Sequence, residues 1–184
     1  MNINRLAMFC GSKSGNNNLY TTHAKALGTI LGTHHNEMIY GGGRNGLMGV
    51  VADSVLFHGG IVRGVIPQLL MKWESQHNDI SELLIVDDMH QRKRKMFELC
   101  DAAIILPGGF GTLDELFELL TWNQLSIHDK KVFLLNSGGF YNYLLQHMQL
   151  LADEGFLYGN LEDQLTILNE PEELLMFLNP KLSD

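Results

Sequence analysis

Two groups of residues in this chain could do chemistry together: the cations Arg92 and Lys93, and the carboxylate Glu115. Glu115 follows the glycine-rich turn Pro107-Gly108-Gly109-Phe110-Gly111-Thr112, which separates a short apolar run from apolar residues at helical spacing. Glycines let the backbone turn sharply and approach a ligand closely. The N-terminus of the helix that follows presents free N–H groups and the positive end of its dipole, which together bind phosphate. The sequence therefore predicts an anion site at this turn.

Glu115 itself has two interpretations. Thr112 and Glu115 match the capping box Thr-x-x-Glu, in which the glutamate only helps to start the helix. Alternatively, Glu115 is a catalytic carboxylate in an anion-binding crevice. Residue spacing alone leaves both interpretations open.

Arg92 and Lys93 lie in a predicted helix, Met89 to Cys100, and fall on its apolar side. The apolar arc of that helix consists of Met89, Met96, Phe97, Leu99 and Cys100. The aliphatic stems of such cations often lie along apolar surface while the charged heads reach water. We favour the other interpretation, in which the two cations reach the crevice and meet a phosphate or a reacting carboxylate, because Arg suits bidentate phosphate binding.

Short apolar runs alternate with glycine turns and helical patterns along the whole chain, which predicts an α/β fold. We expect a Rossmann-like, doubly wound three-layer sandwich with a mainly parallel sheet of about seven strands, in a single domain spanning residues 1–184. Three glycine turns, Gly11 to Gly15, Gly41 to Gly43 and Gly108 to Gly111, follow predicted strands. Because ligands in such folds bind beyond the carboxyl ends of the strands, the three turns should converge on one crevice.

Composition excludes several function classes. The chain has 184 residues, 45% of them hydrophobic and 18% charged, and a formal net charge of -8, which disfavours nucleic acid or an anionic membrane as the main partner. Two cysteines, Cys10 and Cys100, lie in apolar surroundings and indicate reduced thiols. The sequence shows no signal peptide and no apolar run long enough to span a bilayer, so we expect a cytoplasmic protein.

Known cofactor motifs are missing from the sequence. Gly41-Gly42-Gly43-Arg44-Asn45-Gly46 does not match the dinucleotide fingerprint G-x-G-x-x-G, and there is no P-loop. This disfavours an NAD-dependent oxidoreductase and an ATPase. The eight histidines show no metal-ligand spacing, so we predict neither a metal nor a cofactor.

The segment Met89-His90-Gln91-Arg92-Lys93, followed by the motif that runs from Pro107 to Glu115, resembles the LOG (Lonely Guy) family. Members are cytokinin riboside 5'-monophosphate phosphoribohydrolases, marked by an Arg-Lys pair and a later P-G-G-x-G-T-x-x-E. The similarity covers nearly the whole chain and includes Cys10-Gly11-Ser12, Tyr40-Gly41-Gly42-Gly43 and Thr121-Trp122. These motifs identify the family and do not distinguish the base.

The resemblance implies hydrolysis of the N-glycosidic bond of a purine nucleoside 5'-monophosphate, of cytokinin type or AMP, to free base and ribose 5-phosphate. It implies Arg92 and Glu115 as catalytic residues, with Arg92 also holding Glu115 ionised. The residues that it implies for substrate binding are Glu74, Lys93, Gly108, Gly109, Phe110, Gly111, Thr112 and Thr121. It also implies a homodimer.

Three other functions remain to be weighed against this hydrolase. One is a non-catalytic nucleotide- or cofactor-binding carrier or sensor on the same fold, which would bind a nucleotide without releasing base. Another is a broader nucleosidase acting on several purine or pyrimidine monophosphates. The third, an oxidoreductase, would have to bind NAD without the usual fingerprint.

Overall fold

A computed structural model describes residues 3–72 and 76–178 of the chain. Seven strands form one parallel sheet: β1 Arg5–Phe9, β2 Glu37–Tyr40, β3 Ile61–Pro67, β4 Glu82–Val86, β5 Ala102–Ile105, β6 Lys131–Leu135 and β7 Thr166–Leu168. The strand order is β4-β3-β2-β1-β5-β6-β7. Every pairing is parallel, which confirms the predicted α/β sheet.

Helices cover both faces of the sheet. They are α1 Asn18–Thr33, α2 Gly46–Phe57, α3 Met89–Leu99, α4 Phe110–Gln124, α5 Asn142–Asp153 and the short α6 Leu161–Gln164. Within residues 3–72 and 76–178, 3₁₀ turns span Leu70–Lys72, Ser137–Gly139 and Pro171–Met176. One apolar cluster packs α1, α2 and the last 3₁₀ turn on one face, and a second packs α3, α4 and α5 on the other. The strands are accordingly continuous apolar runs, as both faces are buried.

The direction of the strand order changes between β1 and β5. The chain moves outward from β1 through β2 and β3 to β4, and then returns to place β5 on the other side of β1. Phe9 at the end of β1 pairs with Ile105 at the end of β5. The loops that leave these two strands lead to helices on opposite faces, which opens a crevice at the carboxyl edge.

The predicted capping box at the start of α4 is wrong. The helix begins at Phe110 with Gly109 as its N-cap, and no side chain caps the helix. Thr112 is therefore the third helical residue, and Glu115 lies in the second turn. The last strand of the sheet is short, Thr166–Leu168, and a 3₁₀ turn, Pro171–Met176, follows it. No helix in the described part of the chain is long and apolar enough to cross a membrane.

Candidate active site

The three glycine turns meet at the carboxyl edge of neighbouring strands β2, β1 and β5, as the sequence predicts. The Gly11 N–H donates to the Pro107 carbonyl at 3.0 Å, and the Leu47 N–H donates to the Gly11 carbonyl at 3.1 Å. The first bond joins the turns after β1 and β5, and the second joins the turn after β1 to the start of α2, which follows the turn after β2. A helix N-terminus follows the turn after β5: the first N–H groups of α4 have no side-chain cap and are open to an anion.

A hollow of about 220 Å³ lies between the turns after β1 and β5. Its walls are Gly11 to Gly15 from one loop, Pro107 to Gly109 from the other, and the side chains of Tyr20, Leu47 and Phe140. Pockets for whole ligands typically measure about 300–1,000 Å³. The hollow therefore has room for part of a nucleotide, and the rest would extend along the strand ends.

Arg92 lies at the end of the first turn of α3 and is 7% exposed. Its guanidinium rests against Gly41: a Cβ atom added to that glycine would lie 1.8 Å from Nη2 of Arg92. The Nη1 group lies 3.7 Å from Sδ of Met89. The buried Nε has no hydrogen-bond partner in residues 3–72 and 76–178. A buried, charged donor without a partner is costly, so this group is well suited to bind an anion.

Glu115, on α4, is 9% exposed. Burial raises the pKa of its carboxyl from 4.5 to about 7, and Asp114 adds to the rise, whereas the nearby charge of Arg92 lowers it. The same carboxyl contributes, after burial, to the raised pKa of the Cys10 thiol, which places it beside the end of β1. Arg92 thus acts in the expected direction but does not keep Glu115 fully ionised, because burial has the larger effect.

Lys93 is buried on the apolar side of α3, as predicted, but its charged head meets two other carboxylates. Its Nζ lies 3.0 Å from Asp114 and 2.5 Å from Glu118, both on α4. Hydrogen bonds and charge from these partners outweigh burial and raise the pKa of Lys93. Lys93 therefore links α3 to α4 through Asp114 and Glu118, which precede and follow Glu115 on α4.

The remaining predicted substrate residues are distributed unevenly. Gly108 and Gly109 line the hollow, and Thr112 is buried with its Oγ1 beside Gly108. The side chain of Phe110 is 93% exposed. Gly111 is exposed in the first turn of α4, and Thr121 is exposed six residues beyond Glu115, about 9 Å farther along the helix. Glu74 lies outside the described residues.

The structure brings Arg92 and Glu115 to the same edge of the sheet, close enough for the charge of Arg92 to lower the pKa of Glu115. Among the described residues that line the 220 Å³ hollow, neither Arg92 nor Glu115 is present. The two side chains lie beside the hollow, on the face of the sheet that α3 and α4 cover. The sequence did not predict that the guanidinium of Arg92 packs against Gly41. It also did not predict that Tyr20 and Phe140 line the 220 Å³ hollow. These contacts join positions that are distant in the chain, and no local pattern signals them.

A larger hollow of about 850 Å³ lies at the opposite edge of the sheet. It is lined by residues at the amino ends of β6 and β7, including Lys131, Val132 and Thr166, and by His128 from the preceding loop. None of the glycine turns, and neither Arg92 nor the α4 N-terminus, contributes to it. Chemistry is therefore better placed at the carboxyl edge despite the smaller volume there.

The chain is similar to known proteins over most of its length. Residues 48–178 match a family model described as "Possible lysine decarboxylase". The chain is 48% identical over 153 residues to the cytokinin riboside 5'-monophosphate phosphoribohydrolase LOG1 of Arabidopsis thaliana, covering 83% of this chain and 72% of that protein. It is 44% identical over 171 residues to a probable enzyme of the same name from Oryza sativa subsp. japonica, covering 93% of this chain and 77% of that protein.

The chain belongs to the LOG family. Membership at this identity supports an enzyme of the phosphoribohydrolase type. The decarboxylase wording comes from the family model alone, whereas the curated relatives bear the hydrolase name.

Solved structures share the fold. The molybdenum cofactor binding protein of Rippkaea orientalis aligns with a TM-score of 0.70 at 18% identity, over 96% of both chains. The molybdenum cofactor carrier protein of Chlamydomonas reinhardtii aligns with a TM-score of 0.72 at 15% identity, over 94% of both chains. At such identities the likeness shows the fold alone and says nothing of the ligand.

Proposed function

We propose that this LOG-family protein hydrolyses the N-glycosidic bond of purine nucleoside 5'-monophosphates, cytokinin-type or AMP, to free base and ribose 5-phosphate. The observation that carries the proposal is the buried carboxyl of Glu115, with its pKa raised to about 7 by burial and within range of the opposing charge of Arg92 at the strand ends. A carboxylate in that state suits a reaction whose transition state carries positive charge on a sugar.

The phosphate would bind the uncapped N-terminus of α4 and the backbone of Gly108, Gly109, Phe110 and Gly111, with Thr112 beside them. The side chain of Phe110 is exposed to solvent, so its contribution to phosphate binding would come from its backbone N–H. A dianion would gain here from free donors and from the helix dipole, so the site should favour monophosphates over nucleosides.

Bond cleavage would proceed between the sugar and the base. The bond from C1' to the base nitrogen breaks, the electron pair leaves with the base, which takes up a proton from solvent, and the sugar becomes oxocarbenium-like. Ionised Glu115 stabilises that charge and accepts a proton from the attacking water, whose oxygen forms the new bond to C1'. Arg92 positions the substrate through its unpaired Nε–H donor.

Lys93 would support this arrangement from its place between Asp114 and Glu118. A contact from Glu74 to the ribose or base is proposed on the family resemblance. A substrate contact from Thr121, exposed on α4, would require that the two sites of a dimer meet across this helix. Exposed apolar side chains on α3 and α4, Met89, Phe110 and Phe117, are consistent with a homodimer, which light scattering would test.

Incubation with AMP and with isopentenyl-AMP, followed by chromatography of the free base, tests the proposal. A hydrolase releases base and ribose 5-phosphate in equal amounts. Retention of an intact nucleotide with no base released would support a carrier or sensor instead. A panel of pyrimidine monophosphates separates a purine enzyme from a broader nucleosidase.

A further inference from the structure

One buried imidazole joins three separate segments beneath the 220 Å³ hollow. His23, on α1, is 5% exposed. Its Nδ1 lies 2.9 Å from Oγ of Ser137, in the 3₁₀ turn after β6, and its Nε2 lies 3.2 Å from the carboxylate of Glu170, just before the last 3₁₀ turn. A carboxylate can only accept, so Nε2–H donates to Glu170, and the neutral ring then accepts the Ser137 O–H at Nδ1.

The order Ser–His–Glu matches that of a hydrolytic triad, but the burial does not. Ser137 has no exposed surface. The outer member, Glu170, is the exposed one, with 63% of its side chain accessible. In a working triad the serine must reach the substrate and the acid lies behind the histidine. This chain of hydrogen bonds therefore holds structure in place.

The segment that it holds carries one wall of the hollow. Gly138 and Gly139 follow Ser137 with φ values of 58° and 75°, which turn the chain sharply onto α1. Phe140 comes next and packs edge-to-face on Tyr20, with ring centroids 5.5 Å apart. Both rings line the hollow. Tyr20 lies one turn before His23 on α1, so the imidazole fixes the helix and the loop that bring the two rings together.

We propose that the His23–Ser137–Glu170 chain is a positioning network that sets the Tyr20–Phe140 wall and thereby the affinity for the nucleotide. The inference rests on the proposed function for the identity of the ligand. The three residues do not touch the reacting atoms, and they act through the two rings. Loss of the network should weaken binding and leave the chemical step, which belongs to Arg92 and Glu115, unchanged.

Ser137→Ala removes the Oγ with little change of volume, and Glu170→Ala removes the exposed end of the chain without disturbing the core. In both variants we expect KM for AMP to rise about three- to ten-fold with kcat within a factor of two. Amide exchange in residues 138–141 should become faster. Ser54→Ala is the matched control, because Ser54 is also a buried serine bonded to α1, through the Lys25 carbonyl at 2.8 Å, and it does not line the hollow.

Unchanged KM and unchanged exchange in Glu170→Ala would overturn the inference even if Ser137→Ala fails to fold. A fall in kcat with KM unchanged would also overturn it, since a merely structural role lowers the amount of active enzyme. If the wild type releases no base, the proposed function fails, and the inference is then decided by calorimetric binding of AMP. Weaker binding in Ser137→Ala than in Ser54→Ala supports the network, and equal binding refutes it.

Discussion

The buried carboxyl of Glu115 should make the stability of the protein depend on pH in a way that one substitution removes. Its pKa is raised from 4.5 to about 7, chiefly by burial. The folded protein therefore holds this proton more tightly than the unfolded chain does. The contribution of the Glu115 carboxyl to the free energy of unfolding is therefore most favourable below pH 4.5, and it is progressively lost as the pH rises through about 7.

The magnitude follows from the linkage between protonation and folding. At about 1.36 kcal/mol for each pH unit by which the pKa differs, full ionisation of Glu115 costs the folded state about 3 kcal/mol. Between about pH 5 and pH 8 the change is about 2.5 kcal/mol. Glutamine has nearly the same shape and no charge, so Glu115→Gln should gain that amount over the wild type as the pH is raised.

Urea unfolding of both proteins at about pH 5 and pH 8 measures this difference. Glu172→Gln, at an exposed position on the last 3₁₀ turn, is the control for a general effect of charge and should show no comparable gain. An equal free energy of unfolding for Glu115→Gln and the wild type at both pH values would refute the reasoning. It would mean that the carboxyl is hydrated or paired in the folded protein.

Three further predictions concern activity. Base release by the wild type should rise with pH through about 7, as Glu115 ionises, and a pH–rate profile checks this. Arg92→Ala should reduce base release at least about 100-fold. Gly41→Ala should reduce it to the same extent, because the added methyl group displaces the guanidinium of Arg92. In the Arg92→Ala background, Gly41→Ala should therefore reduce base release no further. Lys93→Met removes the bond to Asp114, so we expect a lower melting temperature. It also removes a charge that lowers the pKa of Glu115, so the midpoint of the pH–rate profile should shift upward. An unchanged midpoint would contradict this coupling.

Local patterns were sufficient to predict the parallel sheet and the meeting of its glycine turns. Continuous apolar runs between helical patterns permit few arrangements, and glycines at strand ends then have to gather at one edge. The buried side of α3 was predicted as well, since helical periodicity alone places Arg92 and Lys93 there. Patterns of this kind are set within one element.

The failed and missing predictions concern relations between elements. Thr112 was predicted to cap α4, but the glycine turn allows the helix to begin three residues earlier, with Gly109 as its N-cap, so Glu115 lies in the second turn and is buried. Lys93 pairs with Asp114 and Glu118, which only the packing of α3 on α4 could reveal. The same holds for the pKa of Glu115, because burial in the assembled sheet decides its direction.

The most direct test of the account is release of adenine from AMP by Glu115→Gln, compared with the wild type at about pH 8 and followed by chromatography. The account predicts a folded variant that still binds AMP and releases adenine at least about 100-fold more slowly. Adenine release at the wild-type rate would contradict it, because the carboxyl at position 115 would then have no part in breaking the glycosidic bond.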